Sequence, residues 1–299
     1  MRQSHNRREF LQIATAGAAA LVAGPALGAE GSKKGKGRKK QSQAETQPSP
    51  APAGGRTLPF ELGLASYTCR KFDLKTTLEM AQRVGLKHIA LKDVHLAMNS
   101  TPEQIKAVVA QVKEAGLDLY GGGVIYMRNE AQVNQAFDYA KAAGMRVIIG
   151  VPLPELLPLV DKKVKEYNIK VAIHNHGPGD KVFPLPATVY ERIKDLDKRI
   201  GLCNDIGHTA RSGVDPAASI VQFADRLLDV HIKDETAADA KGSATEVGRG
   251  VINIPQVIRA LVKINYTGIV SFEYEKSEND PLPGLAESVG YVRGVMAAI

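Results

Sequence analysis

Four short stretches carry side chains whose types and spacing could do chemistry. "VAIHNHGPGD" places His174 and His176 either side of Asn175, directly after the apolar run Val171-Ala172-Ile173. "LCNDIGHT" offers Asp205 and then His208, "DVHIKD" offers His231, Lys233 and Asp234, and "SFEYE" offers Glu273 and Glu275. Each set follows a short β-branched run, the pattern of a buried strand ending in a loop. A buried strand end is a costly place for imidazoles and carboxylates unless something binds them. Together these groups can hold a metal ion or move protons. A single imidazole in such a place is more often a satisfied, half-buried side chain, so the elements that position them decide the reading.

The stretch from residue 58 to 299 alternates strand-like and helix-like segments. Apolar runs fall at 61–67, 88–91, 117–125, 146–151, 171–173, 200–203, 227–232 and 268–275. Between them lie segments with helical spacing, the clearest being "TPEQIKAVVAQVKEAG": Pro102 opens it, Ile105, Val108, Val109 and Val112 form a stripe, and Gly116 stops it. The others run near 74–84, 131–143, 155–166, 186–196, 215–225, 254–264 and 284–298. Eight βα units in this length predict a closed (β/α)8 TIM barrel over 58–299. No Gly-rich dinucleotide or phosphate fingerprint follows the first run, which weakens an open doubly wound sheet.

In such a barrel the active site lies at the C-terminal ends of the strands. The fifth to eighth runs are neighbours around it and end in His174, Asp205, His231 and Glu273. This coincidence predicts one shared divalent metal ion. Two imidazole nitrogens and two carboxylates suit Mn²⁺ or Zn²⁺ first, with Co²⁺ or Fe²⁺ also acceptable, and do not suit an all-oxygen Ca²⁺ site.

The N-terminal stretch differs in kind. Arg7-Arg8, then Phe10-Leu11, an uncharged run from Ile13 to Ala26 and small residues at Gly28 and Ala29 make a twin-arginine signal peptide over 1–29. The run is too short and too rich in Ala and Gly for a convincing membrane span. Neither Cys69 nor Cys203 lies near the cleavage region to carry a lipid. Residues 30–57, basic and ending in Pro, Ala and Gly, read as a disordered linker. The expected location is therefore periplasmic, or otherwise exported by that pathway. Residues 1–57 hold ten Lys/Arg and three acids, which leaves 29 of each sign in 58–299. The calculated pI near 9.2 thus belongs to the tail, and the barrel shows no basic excess for nucleic acid. The two cysteines fall on elements far apart in the order, so no disulfide is expected despite export.

"IGLCNDIGHTARSG", "DVHIKDE" and "YTGIVSFEYE" resemble motifs of the sugar phosphate isomerase/epimerase family of xylose-isomerase-like barrels, and the resemblance spans essentially all of 58–299. In that family's sugar epimerases Glu, Asp, His and Glu from strands five to eight hold the metal. The last three fall on Asp205, His231 and Glu273. The first falls on His174, a departure. Paired glutamates on opposite faces of a sugar remove and return a proton, and His174 breaks that symmetry. Glu273, or a group that is not a ligand, must then act as base.

The resemblance implies a metal-dependent isomerase or epimerase that removes a proton beside a keto-sugar carbonyl. A lyase or dehydratase acting on a keto-sugar or 3-keto-glycoside fits the same site, and a non-catalytic sugar-binding barrel is the alternative outside the enzymes. A phosphodiesterase like the apurinic endonucleases would need further ligands, for which only Asp93 and His95 offer themselves. The expected catalytic residues are Glu273, Lys92, Lys233 and His176. His208, Arg249 in the loop "TEVGRG", and Glu275 are expected to contact substrate, a small sugar or glycoside.

Overall fold

The computed structural model describes residues 58–299. The expected signal peptide and linker lie outside the described residues. Seven strands come first: β1 (Glu61–Ala65), β2 (His88–Leu91), β3 (Asp118–Met127), β4 (Val147–Pro152), β5 (Lys170–His174), β6 (Ile200–Asp205) and β7 (Leu227–Ile232). A two-stranded antiparallel ribbon follows, β8 (Asp234–Glu235) with β9 (Ala244–Thr245), and β10 (Ile269–Phe272) comes last. All but the ribbon are parallel and close in the order β1-β10-β7-β6-β5-β4-β3-β2. This is the TIM barrel that the alternating segments predict.

Helices pack outside while side chains fill the inside, so the strands are buried on both faces and read as continuous Val, Ile and Leu runs. β4 and β6 are buried along their whole length. The long helices begin where the sequence places caps. In α1 (Leu74–Arg83) the Asp73 side chain accepts from Thr76 N at 2.8 Å. In α2 (Pro102–Glu114) Thr101 and Gln104 form a reciprocal capping box behind Pro102, and Ile105 and Val112 are buried. The others are α3 (Glu130–Ala142), α4 (Leu157–Tyr167), α5 (Pro186–Ile193), α7 (Pro216–Gln222), α8 (Ile254–Lys263) and α9 (Leu282–Ala297). One short helix, α6 (Ile206–Arg211), continues directly from β6.

Arg226 ties this side of the barrel together. It is fully buried just before β7, and its guanidinium donates to the carbonyls of Lys194, Leu196, Asp197 and Ile200 at 2.6–3.0 Å. Those carbonyls belong to the turn between α5 and β6, so one side chain satisfies acceptors that burial would otherwise orphan. Cys69 and Cys203 are both free and buried.

Candidate metal centre and active-site cleft

The strand register brings the chemistry to one level. Asp205 lies opposite His231 across β6 and β7, His174 opposite Cys203 across β5 and β6, and Glu273 follows β10 with its N–H donating to Ile232 O at 3.2 Å. His174, Asp205, His231 and Glu273 are all buried, and one donor atom from each lies within 4.8 Å of the others. Tetrahedral ligand bonds of about 2.0–2.3 Å place donors about 3.3–3.8 Å apart, and three of the pairs here stand at 3.3, 3.3 and 4.0 Å, so the four can close on an ion with small side-chain shifts. Both ring nitrogens of His174 are buried without a hydrogen-bond partner among the described residues. Asp205 Oδ2 is buried 3.3 Å from His174 Nε2, 2.9 Å from Lys233 Nζ and 4.0 Å from His231 Nδ1. These donors fit a metal. The structure brings together the whole set that the strand ends predict.

Asn175 answers for its place between two histidines. Its carbonyl oxygen accepts from Asp205 N at 3.0 Å, and its amide donates to Asp205 O and Thr209 Oγ1. It therefore fixes the end of β6 from the end of β5. Asp205 Oδ1 in turn caps α6 by accepting from His208 N at 2.8 Å, which leaves Oδ2 for the centre.

Lys233 turns fully inward. Its ammonium is 2.7 Å from Glu273 Oε2 and 2.6 Å from Glu275 Oε1, besides its contact with Asp205. Burial works against the charged ammonium, but the three carboxylates outweigh it and hold the group well above the usual lysine range. Burial likewise opposes ionisation of Glu273, and Lys233 and His231 overcome it, so this carboxyl lies well below its ordinary range. The His231 imidazole is held up to about 9, burial being outweighed by Glu273, Asp229 and Asp205. His174 and His208 are each pushed down to about 4, mainly by burial. Gly207 makes this packing possible. A Cβ there would sit 2.5 Å from Lys233 Cγ and 2.7 Å from Glu235 Oε1.

A cleft of about 280 Å³ opens over the centre, lined by His174, Glu273, Lys92, His176, His208 and Glu275 together with Tyr67, Val124 and Tyr126. Lys92 Nζ donates to Val124 O at 2.9 Å. The His176 ring stacks on Tyr126, with its Nε2 3.0 Å from the Tyr126 hydroxyl, and burial lowers its pKa. His208 faces the cleft outside the four-residue set.

Arg249 is a correction. Its guanidinium pairs with Glu287 on α9, through Nε to Oε1 and Nη2 to Oε2, and it does not line the cleft. The cause is Asp234, whose carboxylate collects the N–H groups of Gly248, Gly250 and Ile252 at 2.9–3.0 Å. With Gly248 at φ +97 the loop turns outward, a conformation that disfavours other residues. Of the two residues considered as phosphodiesterase ligands, His95 is buried against Ser66 Oγ and Thr77 Oγ1, and the Asp93 side chain is largely exposed beside Lys92.

Four contributors escape the strand-end argument. Tyr67, Val124 and Tyr126 come from the ends of β1 and β3, where no charged residue marks them. Asp229 lies one layer down, inside β7, with Oδ2 4.0 Å from His231 Nε2, and burial raises it to about 6. The i, i+2 spacing of "DVH" was its only signal, since alternate strand residues share a face. Asp229 faces the ring nitrogen opposite to the one facing Glu273, too far away for a hydrogen bond, and supports the imidazolium by charge.

A closed parallel barrel with two imidazoles and two carboxylates at its C-terminal mouth defines a class of metal-capable TIM barrels. The chain belongs to the xylose isomerase-like TIM barrel family, whose model matches residues 70–295. It is 27% identical over 152 residues to the rhizopine catabolism protein MocC of Rhizobium meliloti, covering 44% of each chain. To an inosose dehydratase of Clostridium tetani it is 28% identical over 159 residues, 44% of this chain and 50% of that protein. The chain thus spans about half the length, or less, of the curated relatives it matches. The solved structure of an L-ribulose 3-epimerase superposes with a TM-score of 0.66 at 16% identity, over 80% of this chain and 95% of the other. That likeness concerns the fold. Among the described residues no helix is long and apolar enough to cross a membrane.

Proposed function

We propose that the chain is a divalent-metal-dependent enzyme that removes a proton beside the carbonyl of a keto-sugar or sugar derivative, as an isomerase or epimerase does. The observation that carries this is the buried set of His174, Asp205, His231 and Glu273 at the barrel mouth. Charge supports it further. Asp205, Glu273 and Glu275 surround a single ammonium, and a divalent ion would cancel the two negative charges left over when the imidazoles are neutral. Mn²⁺ or Zn²⁺ suits this donor set best. When bound, the ion would supply Lewis acidity toward the substrate carbonyl oxygen.

The chain's own groups then divide the work. Burial opposes the charge on Glu273, but Lys233 and His231 hold its carboxyl well below the ordinary range, which weakens it as a base. His176 is kept neutral, and its Nδ1 is buried without a hydrogen-bond partner, so it is the favoured base. Lys233, buried beneath the cleft, compensates the carboxylates of the centre, and Lys92, which lines the cleft, is placed to donate to a substrate oxygen. An elimination from the same enediolate is the second reading, supported by the sequence likeness to an inosose dehydratase. The twin-arginine motif supports a reading in which this activity is exported, and Arg7-Arg8→Lys-Lys should then abolish export in fractionated cells.

The test is solvent exchange. Metal-loaded protein, incubated in D₂O with a panel of keto-sugars and 3-keto-glycosides, should place deuterium beside the carbonyl of at least one, seen by NMR. Exchange should stop on chelation and slow at least 100-fold in His176→Ala. A vinylic product signal would select elimination over isomerisation. Absence of exchange and of any new product across the panel, with metal bound, would remove the proposal.

A further inference from the structure

A second cleft, of about 370 Å³, adjoins the first and shares Lys92, Val124 and Tyr126 with it. It lies between the loop after β2 and helix α3. Its walls include Leu91, Leu96, Met98 and Ile125. Of the polar side chains that reach it, Tyr139 Oη donates to Leu96 O at 3.1 Å, Gln135 Nε2 to Met98 O at 3.3 Å and Lys92 Nζ to Val124 O, while Asp93 and Asn99, which also line it, are exposed to solvent. The wall formed by Leu91, Leu96, Met98 and Ile125 offers a continuous apolar surface, which suits a flat apolar group. A cavity of about 150 Å³ suffices for benzene, so this cleft has room for a substituted aryl group.

Tyr126 stands between the two clefts. It is 42% exposed, high for an aromatic ring so placed, while its stack on His176 and the Arg128 guanidinium 5.4 Å from its ring hold it in position. Val94, 54% exposed, sits in the same β2–α2 loop. An apolar ligand spanning the shared wall would cover Tyr126.

We propose that this second cleft is an aglycone subsite: the substrate is a keto-glycoside whose sugar lies over the metal centre and whose aryl or similarly flat apolar aglycone lies against Leu96, Met98 and Ile125. The subsite rests on the reading of the first cleft as a sugar site, and its test does not depend on turnover. Phenyl and methyl β-D-glucoside are titrated calorimetrically into the metal-loaded full chain. Phenyl β-D-glucoside should bind at least tenfold more tightly. That advantage should fall to less than twofold in Ala97→Phe, which fills the cleft, and in Asn99→Trp, which blocks it from an exposed position and so spares the fold. Equal affinity for the two glucosides, no measurable binding of either, or an advantage that survives both substitutions overturns the subsite. Deuterium exchange on keto-sugars without an aglycone judges the proton-abstraction reading separately, so either can fail alone.

Discussion

Lys233 sets the electrostatics of the centre from a single side chain. Its ammonium compensates Asp205 and Glu273 inside the barrel and Glu275 at the cleft wall. Removing one partner from a buried ion-pair group typically costs about 3–5 kcal/mol. Lys233→Met should therefore lose stability of that order in urea melts with chelator present, and saturating Mn²⁺ should recover a large part of it by binding the native state. Loss of equal size with and without metal would separate the lysine from the metal set. Glu235 gives a pH signature of opposite kind. Burial pushes its carboxyl from 4.5 up to about 7, so between those values the native state holds a proton that the unfolded chain has released. Stability should fall as pH rises through this window, and Glu235→Gln should flatten the fall. Parallel pH–stability curves for the two proteins would show that Glu235 does not cause it. At this scale the four-residue donor cluster was legible because each member ends a β-branched run and the four runs are neighbours around the barrel. Tyr126 and Val124 were not, because ordinary side chains become site residues only when a strand end aims them. Arg249 misled because its direction depends on Asp234, fifteen residues earlier in the chain.

At the scale of elements, the barrel strands and long helices follow from local pattern: β-branched runs buried on both faces, amphipathic stripes, and caps at Asp73 and Thr101. The exceptions are short. α6 has no stripe to read, and the Asp205 side chain caps it by accepting from His208 N as it continues β6. β8 and β9 have two residues each, held by mutual pairing and by the Asp234 carboxylate at their base. Neither could be read without knowing the partner. Arg226 shows the same dependence in the core. Its sequence neighbours suggest an exposed helix-end arginine, yet it satisfies four backbone carbonyls. Arg226→Met fills much of the same volume but orphans those acceptors, each worth about 1–3 kcal/mol when buried unpaired. We expect a loss of at least 3 kcal/mol in chemical denaturation, with metal content unchanged in the folded fraction. A near-neutral effect would mean that water replaces the guanidinium.

For the whole molecule, charge separates two parts. Residues 58–299 carry equal numbers of basic and acidic side chains, and the excess lies in 1–57. Protein beginning at Leu58 should keep its metal content and melt within about 2 °C of the full chain, since no apolar periodicity in 1–57 could add to a core. A larger drop would show that the basic segment packs on the barrel. The closure of the barrel has a consequence for how such a chain comes to be folded. β1 hydrogen-bonds to β10, so the first strand made during synthesis meets its second neighbour only after about two hundred further residues. Until Ile269–Phe272 emerges, both β1 and β7 present a bare row of peptide groups, the kind of edge that recruits other chains. The growing polypeptide therefore passes through a long interval in which it is sticky, and a ribosome that stopped short of Gly268 would release an aggregating product. That interval ends when the last strand pairs with β1 and seals the ring.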